Sequence, residues 1–186
     1  MGLLTILRKQ KWKEKEARVL LLGLDNAGKT TILKRLLNEN TITVSPTFGF
    51  QIRTINVEGL HLTIWDIGGQ KTLRSFWKNY FESTEAIVWV VDSLDESRLL
   101  ECKHQLHELL LEEKLLNISL LILANKSDAA GSLDAKTIEQ LLHLDELKSR
   151  HYCILSVSAI TGDGIQEAIN WLASDLRESK MGILSN

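Results

Sequence analysis

Cysteine is scarce: the chain has two, Cys102 and Cys153, far apart and with no C-x-x-C or Cys/His cluster beside either. That excludes a disulfide framework and a zinc site, and leaves two buried, inert thiols in a reducing compartment. Excess charge of one sign is missing as well. A net charge of −2 with 25% charged residues creates no global basic field, which argues against a nucleic-acid binder. Any phosphate ligand must therefore be held locally. No apolar run approaches the roughly 18 residues of a membrane span, and the N-terminus lacks a signal-peptide hydrophobic stretch of adequate length. The expectation is a cytoplasmic protein with at most weak peripheral membrane contact. Proline occurs once, at Pro46, where it stiffens an exposed loop and biases Ser45 towards an extended shape. With 186 residues, one domain with a full hydrophobic core is expected, acting as a monomer.

What is present is concentrated in one stretch. Gly23-Leu24-Asp25-Asn26-Ala27-Gly28-Lys29-Thr30 fits G-x-x-x-x-G-K-[ST] directly after the apolar run Val19 to Leu22, the strand, loop and helix setting that this phosphate-binding pattern requires. A triphosphate needs many donors at short range with no bulky side chains in the way. Glycines at 23 and 28 let backbone N–H groups approach, and the following helix, with Thr31 in its first turn, adds its positive dipole end. Lys29 would reach the β- and γ-phosphates and the Thr30 hydroxyl would ligate Mg²⁺. The bland alternative is an ordinary glycine turn, matched by chance in roughly one chain of this length in a few hundred.

Residues 2 to 16 pass from apolar (Leu3, Leu4, Ile6, Leu7) to charged (Arg8, Lys9, Lys11, Lys13 to Glu16). Positions 3, 4 and 7 share a helical face, so the segment reads as a short amphipathic helix. It either docks reversibly on a membrane, a partner or the protein's own surface, or packs as ordinary core. The acylation pattern M-G-x-x-x-[ST] is not met, because position 6 is Ile6 and Thr5 comes one place early.

Ala17 to Leu24 reads as a buried strand and Thr30 to Leu37 as a helix packing through Ile32, Leu33, Leu36 and Leu37. After the polar stretch Asn38 to Ser45 and Pro46, Thr47 could present its hydroxyl to Mg²⁺, although a lone loop threonine is usually only that. Phe50 to Val57 and Leu60 to Ile64 alternate about Glu58-Gly59, a β-hairpin by pattern and turn chemistry. Its second strand runs into Trp65-Asp66-Ile67-Gly68-Gly69-Gln70, where Asp66 can hold Mg²⁺ through water and the Gly69 N–H can meet a γ-phosphate oxygen. Ala86 to Val91 and Leu120 to Ala124 are continuous apolar runs, expected of parallel strands covered on both faces. Leu99 to Glu113 repeats leucines at helical spacing, with Cys102, His104 and His107 as helix-face residues rather than ligands. Asn125-Lys126-Ser127-Asp128 supplies a carboxylate able to accept N1–H and N2–H₂ of guanine, which adenine cannot offer. Asn125 would touch the ring edge and brace neighbouring loops, and the Lys126 stem would cover the base plane. Ile154 to Val157 forms a last strand leading to Ser158-Ala159, whose backbone N–H could meet guanine O6, and Asp163 to Leu176 closes the fold as a helix with Ile165, Ile169 and Leu172 inward. Three sites at strand ends, in this order, make one nucleotide pocket at the carboxyl edge of a parallel sheet.

Trp65 to Gln70 together with Pro46-Thr47-Phe48-Gly49-Phe50 resembles the Ras superfamily of small GTPases, and within it the ADP-ribosylation-factor group, over essentially the whole chain. Met1 to Leu7 and Lys71 to Thr84 look most like the branch named ADP-ribosylation-factor-like protein 2. The resemblance implies an α/β, P-loop NTPase fold with a six-stranded, mostly parallel sheet, one antiparallel edge strand and helices on both faces. It divides the chain into an N-terminal segment 1–16, a GTPase domain 17–180 and a tail 181–186. It implies GTP/GDP with Mg²⁺, switch loops around Thr47 and Gly69-Gln70 ordered by the γ-phosphate, and Gln70 orienting the attacking water. No arginine near Thr47 can reach the γ-phosphate from within the chain, so hydrolysis should be slow and a GTPase-activating protein should supply charge. Asp25 stands where Ras-type loops carry glycine and puts a carboxylate near the γ-phosphate, disfavouring unaided turnover further. The branch implies effector proteins among carriers of lipidated cargo, tubulin-folding cofactor D, and an association with the cytoskeleton. Phe48, Phe50, Trp65, Trp77 and Tyr80 are candidates for an effector patch or for the core. The rival reading is a scaffold that holds GTP or GDP and for which hydrolysis is unimportant; an ATP-using kinase is disfavoured by Asn125 to Asp128.

Overall fold

Successive residues of a strand point to opposite faces, so an uninterrupted apolar run belongs to a strand covered on both sides. In the computed structural model, which describes residues 15–147 and 150–181, Glu16–Leu22 (β1) is such a strand. Val19 and Leu21 face one layer of core while Leu20 and Leu22 face the other. Ala86–Asp92 (β4) and Ser119–Asn125 (β5) follow the same rule. With Phe50–Val57 (β2), Leu60–Ile67 (β3) and Tyr152–Ser156 (β6) they form a six-stranded sheet in the order β2-β3-β1-β4-β5-β6. Only the β2–β3 pair is antiparallel. The expected α/β class with one antiparallel edge strand is therefore observed.

Helices cover both faces. Lys29–Leu36 (α1) and Ile165–Lys180 (α4) bury Ile32, Leu33, Ile169 and Leu172 against Val19, Leu21, Val88 and Leu121. On the other face, Leu99–Leu110 (α2) and Ala135–Leu141 (α3) set Leu106, Leu109 and Ile138 against Leu20, Trp89 and Ile122. The sheet extends from β1 in both directions, through β3 to β2 and through β4 to β6, so the loop after β1 sits at a crevice of the sheet's carboxyl edge.

Local chemistry explains the boundaries. Glu58 and Gly59 both have positive φ, 50° and 86°, the two-residue turn that matches strand twist. The α2 helix ends at Leu110 rather than continuing to Glu113, because Glu112 turns extended before a short 3₁₀ turn over Glu113–Leu115. The last helix starts two residues later than expected, behind Gly164 at φ 71°, and runs one turn further. The α3 helix, capped by the Asp134 carboxylate accepting from the Thr137 N–H at 2.7 Å, and the 3₁₀ segment Arg74–Tyr80 were not individually anticipated. The N-terminal amphipathic segment, the Gly2 pattern and the C-terminal tail lie outside the described residues, except for positions 15, 16 and 181.

Leu106 is fully buried in the α2 interface whereas Leu100 on the same helix is exposed. Leu106→Ala should cost about 2–5 kcal/mol, and Leu100→Ala should stay within about 0.5 kcal/mol of the parent. Urea denaturation of both variants checks the assignment of the helix face.

Candidate functional site

The loop 23–28 follows β1 and opens α1. Gly28 adopts φ 95°, and a Cβ there would lie 2.2 Å from the Asn125 amide nitrogen, so only glycine fits beneath the Asn125 side chain. Asn125, almost completely buried, uses that nitrogen to donate to the Ala27 carbonyl (2.9 Å), and its Oδ1 accepts from the Ala159 N–H (3.0 Å). One side chain thus ties the phosphate loop to the loop after β6, the bracing role expected of it.

Lys29 is only 6% exposed. Its Nζ donates to the carbonyls of Gly23 (2.9 Å) and Leu24 (2.7 Å). Burial pushes its pKa down to about 8, against the opposing pull of Asp66 and Asp25. Next to it, Thr30 Oγ1 donates to Asp66 Oδ2 at 2.6 Å and lies 2.7 Å from Thr47 Oγ1, itself 3.4 Å from the same carboxylate oxygen. The three residues come from α1, the 38–49 loop and β3, so the structure brings together the set that the sequence proposes for Mg²⁺. Asp66 is 0% exposed and its Oδ1 has no hydrogen-bond partner among the described residues. Burial raises its pKa, opposed by the Thr30 hydrogen bond and by Lys29. Hydroxyl and carboxylate oxygens around an orphaned buried anion fit a hard divalent cation that takes its remaining ligands from water and phosphate. No cluster of three or more His, Cys, Asp or Glu suited to a metal exists among the described residues, so a thiolate or imidazole site is not offered.

Beyond this triad the loop backbone narrows. A Cβ on Gly69 would meet the Gly23 carbonyl oxygen at 2.3 Å and the Asp25 nitrogen at 2.6 Å, so the Gly69 backbone lies directly against the phosphate loop. Gln70 Oε1 is buried without a hydrogen-bond partner among the described residues. Asn26, Thr31, Thr47, Gly69 and Gln70 line a cavity of about 420 Å³ together with Lys29. That cavity lies where the sequence reading expects the phosphates.

The residues that the sequence reading assigns to the base lie at the ends of β5 and β6. Lys126, at φ 69°, pairs with Asp92 at the end of β4, a partner that sequence spacing gives no means of finding. Asp128 stands exposed in the turn that follows. Ser158 is buried and its Oγ accepts from the Thr161 N–H at 3.0 Å. The Ser158 N–H donates to the Asp163 carbonyl and the Ala159 N–H to Asn125, so a base carbonyl at this loop has to share the Ala159 donor. Arg35 of α1 supports the same loop by donating to the Ala159 carbonyl (2.9 Å) and to the Ile160 carbonyl.

Asp25 lines the same cavity as Lys29, and its carboxylate is paired with Arg98 at 3.1 Å and Arg74 at 3.4 Å, partners that the sequence does not reveal. Of the two readings open for Trp77, effector patch or core, the structure bears out the core: it is buried edge-on against Trp89 and donates its indole N–H to the Gly68 carbonyl at 3.0 Å. The other aromatics divide: Phe48 is 84% exposed, while Phe50, Trp65 and Tyr80 pack together with ring centroids 5.3–5.9 Å apart at the edge of the sheet.

Comparison with known proteins agrees with this geometry. The family model for the ADP-ribosylation factor family matches residues 3–176. The chain is 68% identical over 184 residues, 99% of each chain, to the ADP-ribosylation factor-like protein alp41 of Schizosaccharomyces pombe. It is 54% identical over 177 residues, 95% of this chain and 96% of the relative, to the ADP-ribosylation factor-like protein 2 of Arabidopsis thaliana. The Drosophila melanogaster protein of the same name is 51% identical over 176 residues with the same shares covered. Among solved structures, the Arl6 BBS3 small GTPase from Trypanosoma brucei with bound nucleotide analogue GppNp aligns with a TM-score of 0.80 at 30% identity, covering 87% of this chain and 97% of that one. No helix among the described residues is long and apolar enough to cross a membrane.

The buried ammonium gives the site a pH signature. The folded pKa of Lys29, about 8, lies below its ordinary 10.5, so between those values the unfolded chain binds more protons and stability rises with pH. Relative to Lys29→Met, the nucleotide-free protein should gain about 2 kcal/mol between about pH 8 and pH 10. Paired urea titrations of the two proteins across that range measure it, and a flat difference would place Lys29 in water.

Proposed function

The chain belongs to the ADP-ribosylation factor family of small GTPases, and on that premise we propose that it is a GTP/GDP switch with slow intrinsic hydrolysis. The observation that carries the reading is the convergence of Thr30, Thr47 and Asp66, with one carboxylate oxygen of Asp66 left without a partner. Thr47 belongs to a loop that has neither helix nor strand over 38–49, so its position depends on what it meets at the phosphate site. Mg²⁺, when bound, would supply charge neutralisation to the phosphates; Thr30 and Thr47 would hold it, and Asp66 would do so through water. Backbone N–H groups from Gly23 to Thr31 cradle the phosphates, Lys29 pairs with the β- and γ-phosphates, and Gly69 donates its N–H to the γ-phosphate. Asn125, Lys126 and Asp128, with Ser158 and Ala159, hold guanine.

Gln70 orients the attacking water. Arg74 and Arg98, the arginines beside the phosphate loop, spend donors on Asp25, Glu101, Asp95 and backbone carbonyls. Neither is therefore offered to the γ-phosphate, which supports dependence on a GTPase-activating protein. The protein works as a cytoplasmic monomer whose effectors read the loop 46–50 and the Phe50, Trp65 and Tyr80 cluster beside it. By resemblance to the ADP-ribosylation-factor-like protein 2 branch, we place it with tubulin-folding cofactor D, the microtubule cytoskeleton and carriers of lipidated cargo. Affinity capture with the GTP-loaded against the GDP-loaded protein tests those partners: cofactor D and cargo carriers should be retained on one form. Equal capture by both forms would favour the scaffold reading instead.

Two substitutions separate base choice from chemistry. Asp128→Asn should weaken GTP by about 2–5 kcal/mol and favour xanthosine triphosphate, whose base has a carbonyl where guanine has its amino group; unchanged GTP affinity in a fluorescent-nucleotide titration would remove Asp128 from the site. Gln70→Leu should bind GTP normally yet lose hydrolysis stimulated by an activating protein. Stimulated turnover equal to that of the parent would show that Gln70 does not orient the water.

A further inference from the structure

Two successive glycines, Gly68 and Gly69, precede Gln70, and glycine backbones cost more entropy to hold than any others. Something must fix the peptide between Gly69 and Gln70 if Gln70 is to aim its side chain. The bond that does so comes from Arg74, whose Nε donates to the Gly69 carbonyl at 2.8 Å. Its guanidinium is buried, with 7% of the side chain exposed, and its remaining donors go to Glu101 of α2 (2.7 Å) and Asp25 of the phosphate loop (3.4 Å). Arg98 grips the same aspartate twice, through the carboxylate at 3.1 Å and the backbone carbonyl at 3.2 Å. The rigid, planar fork of an arginine thus connects the segment that carries Gln70, the phosphate loop and the helix α2.

Resting on the GTPase reading above, the geometry points to Arg74 as a positioning residue for hydrolysis, with Asp25 as the anchor that keeps it in place. Arg74 acts on the reaction through Gly69 and Gln70 and does not touch the nucleotide. Asp25, at the third position of the phosphate loop, serves turnover by holding Arg74 rather than opposing it as an isolated negative charge. The two roles of Asp25 predict opposite signs. If its charge merely repels a polyphosphate, removing it speeds hydrolysis; if it anchors Arg74, removing it frees the Gly69 peptide and slows hydrolysis.

The test uses the full chain loaded with GTP and Mg²⁺, with single-turnover release of inorganic phosphate measured for the parent, Asp25→Asn and Arg74→Lys. Lysine keeps the charge of Arg74 but cannot reach three acceptors in a plane. Both variants should hydrolyse about tenfold more slowly or worse, as misplacing a group by about 1 Å can cost a hundredfold. Any fall in fluorescent GDP affinity should be clearly smaller than the fall in rate, because GDP has no γ-phosphate for the Gly69–Gln70 segment to meet. Hydrolysis by Asp25→Asn at or above the parental rate would overturn the proposal, as would a loss of GDP affinity matching the loss of rate. Should Arg74→Lys fail to fold, the sign of the Asp25→Asn effect still decides. A parent protein that neither binds nor cleaves GTP would instead overturn the GTPase reading, and that result is visible before any variant is compared.

Discussion

A lysine ammonium taken out of water is unfavourable by several kcal/mol unless carbonyl dipoles or anions replace its hydration. Lys29 stands under that constraint, and much of the surrounding structure answers it. The loop before it curls so that the Gly23 and Leu24 carbonyls accept from Nζ. That curl brings Gly28 under Asn125, which in turn fastens the loop after β6. Asp66 at the end of β3 exerts the strongest opposing pull on that ammonium and is itself unfavourably buried, since burial raises its pKa. A buried cation and a buried anion that each lack a full shell favour the same remedy, a polyphosphate with a divalent cation.

On the proposed function, the parts of the site that respond to such a ligand are the loop before β2 and the segment after β3. The loop 38–49 has neither helix nor strand, and the segment after β3 begins with two glycines. Thr47 meets Thr30 and Asp66, and Gly69 lies on the phosphate loop, so both segments take their positions from one small region. The rigid elements behave differently. The strands β1, β4 and β5 are buried on both faces and fix Lys29, Asp92 and Asn125 at the carboxyl edge. On the proposed function, a sheet covered on both faces presents the phosphate and base contacts beside two segments that answer to the ligand, which is the physical form of a switch.

Much of this could be read from the chain because the signals are local. Alternation about Glu58-Gly59 specifies the hairpin, and the apolar runs 86–91 and 120–124 specify covered parallel strands. The phosphate loop and Asn125 to Asp128 announce themselves by spacing. What escaped has non-local causes. The Arg74, Arg98, Asp25 and Glu101 network joins residues 27 to 73 positions apart, and nothing in the spacing of an arginine reveals its acceptor. Trp77 was ambiguous because an aromatic residue suits a core and a docking patch equally; its burial follows from Trp89 lying opposite on β4. The α3 helix is short, with Ile138 its one buried residue, so its periodicity carries little signal. Helix ends moved by a few residues because caps such as Gly164 depend on backbone angles that composition does not report.

That two segments answer to the third phosphate is the claim on which the account rests, and backbone hydrogen exchange reads it segment by segment. The protein would be compared with bound GDP and with a non-hydrolysable GTP analogue, both with Mg²⁺, over residues 42–49 and 69–80. Both segments should exchange more slowly with the analogue while β4 and β5 remain unchanged. Equal exchange of both segments in the two forms would contradict a switch and leave only a nucleotide-holding protein.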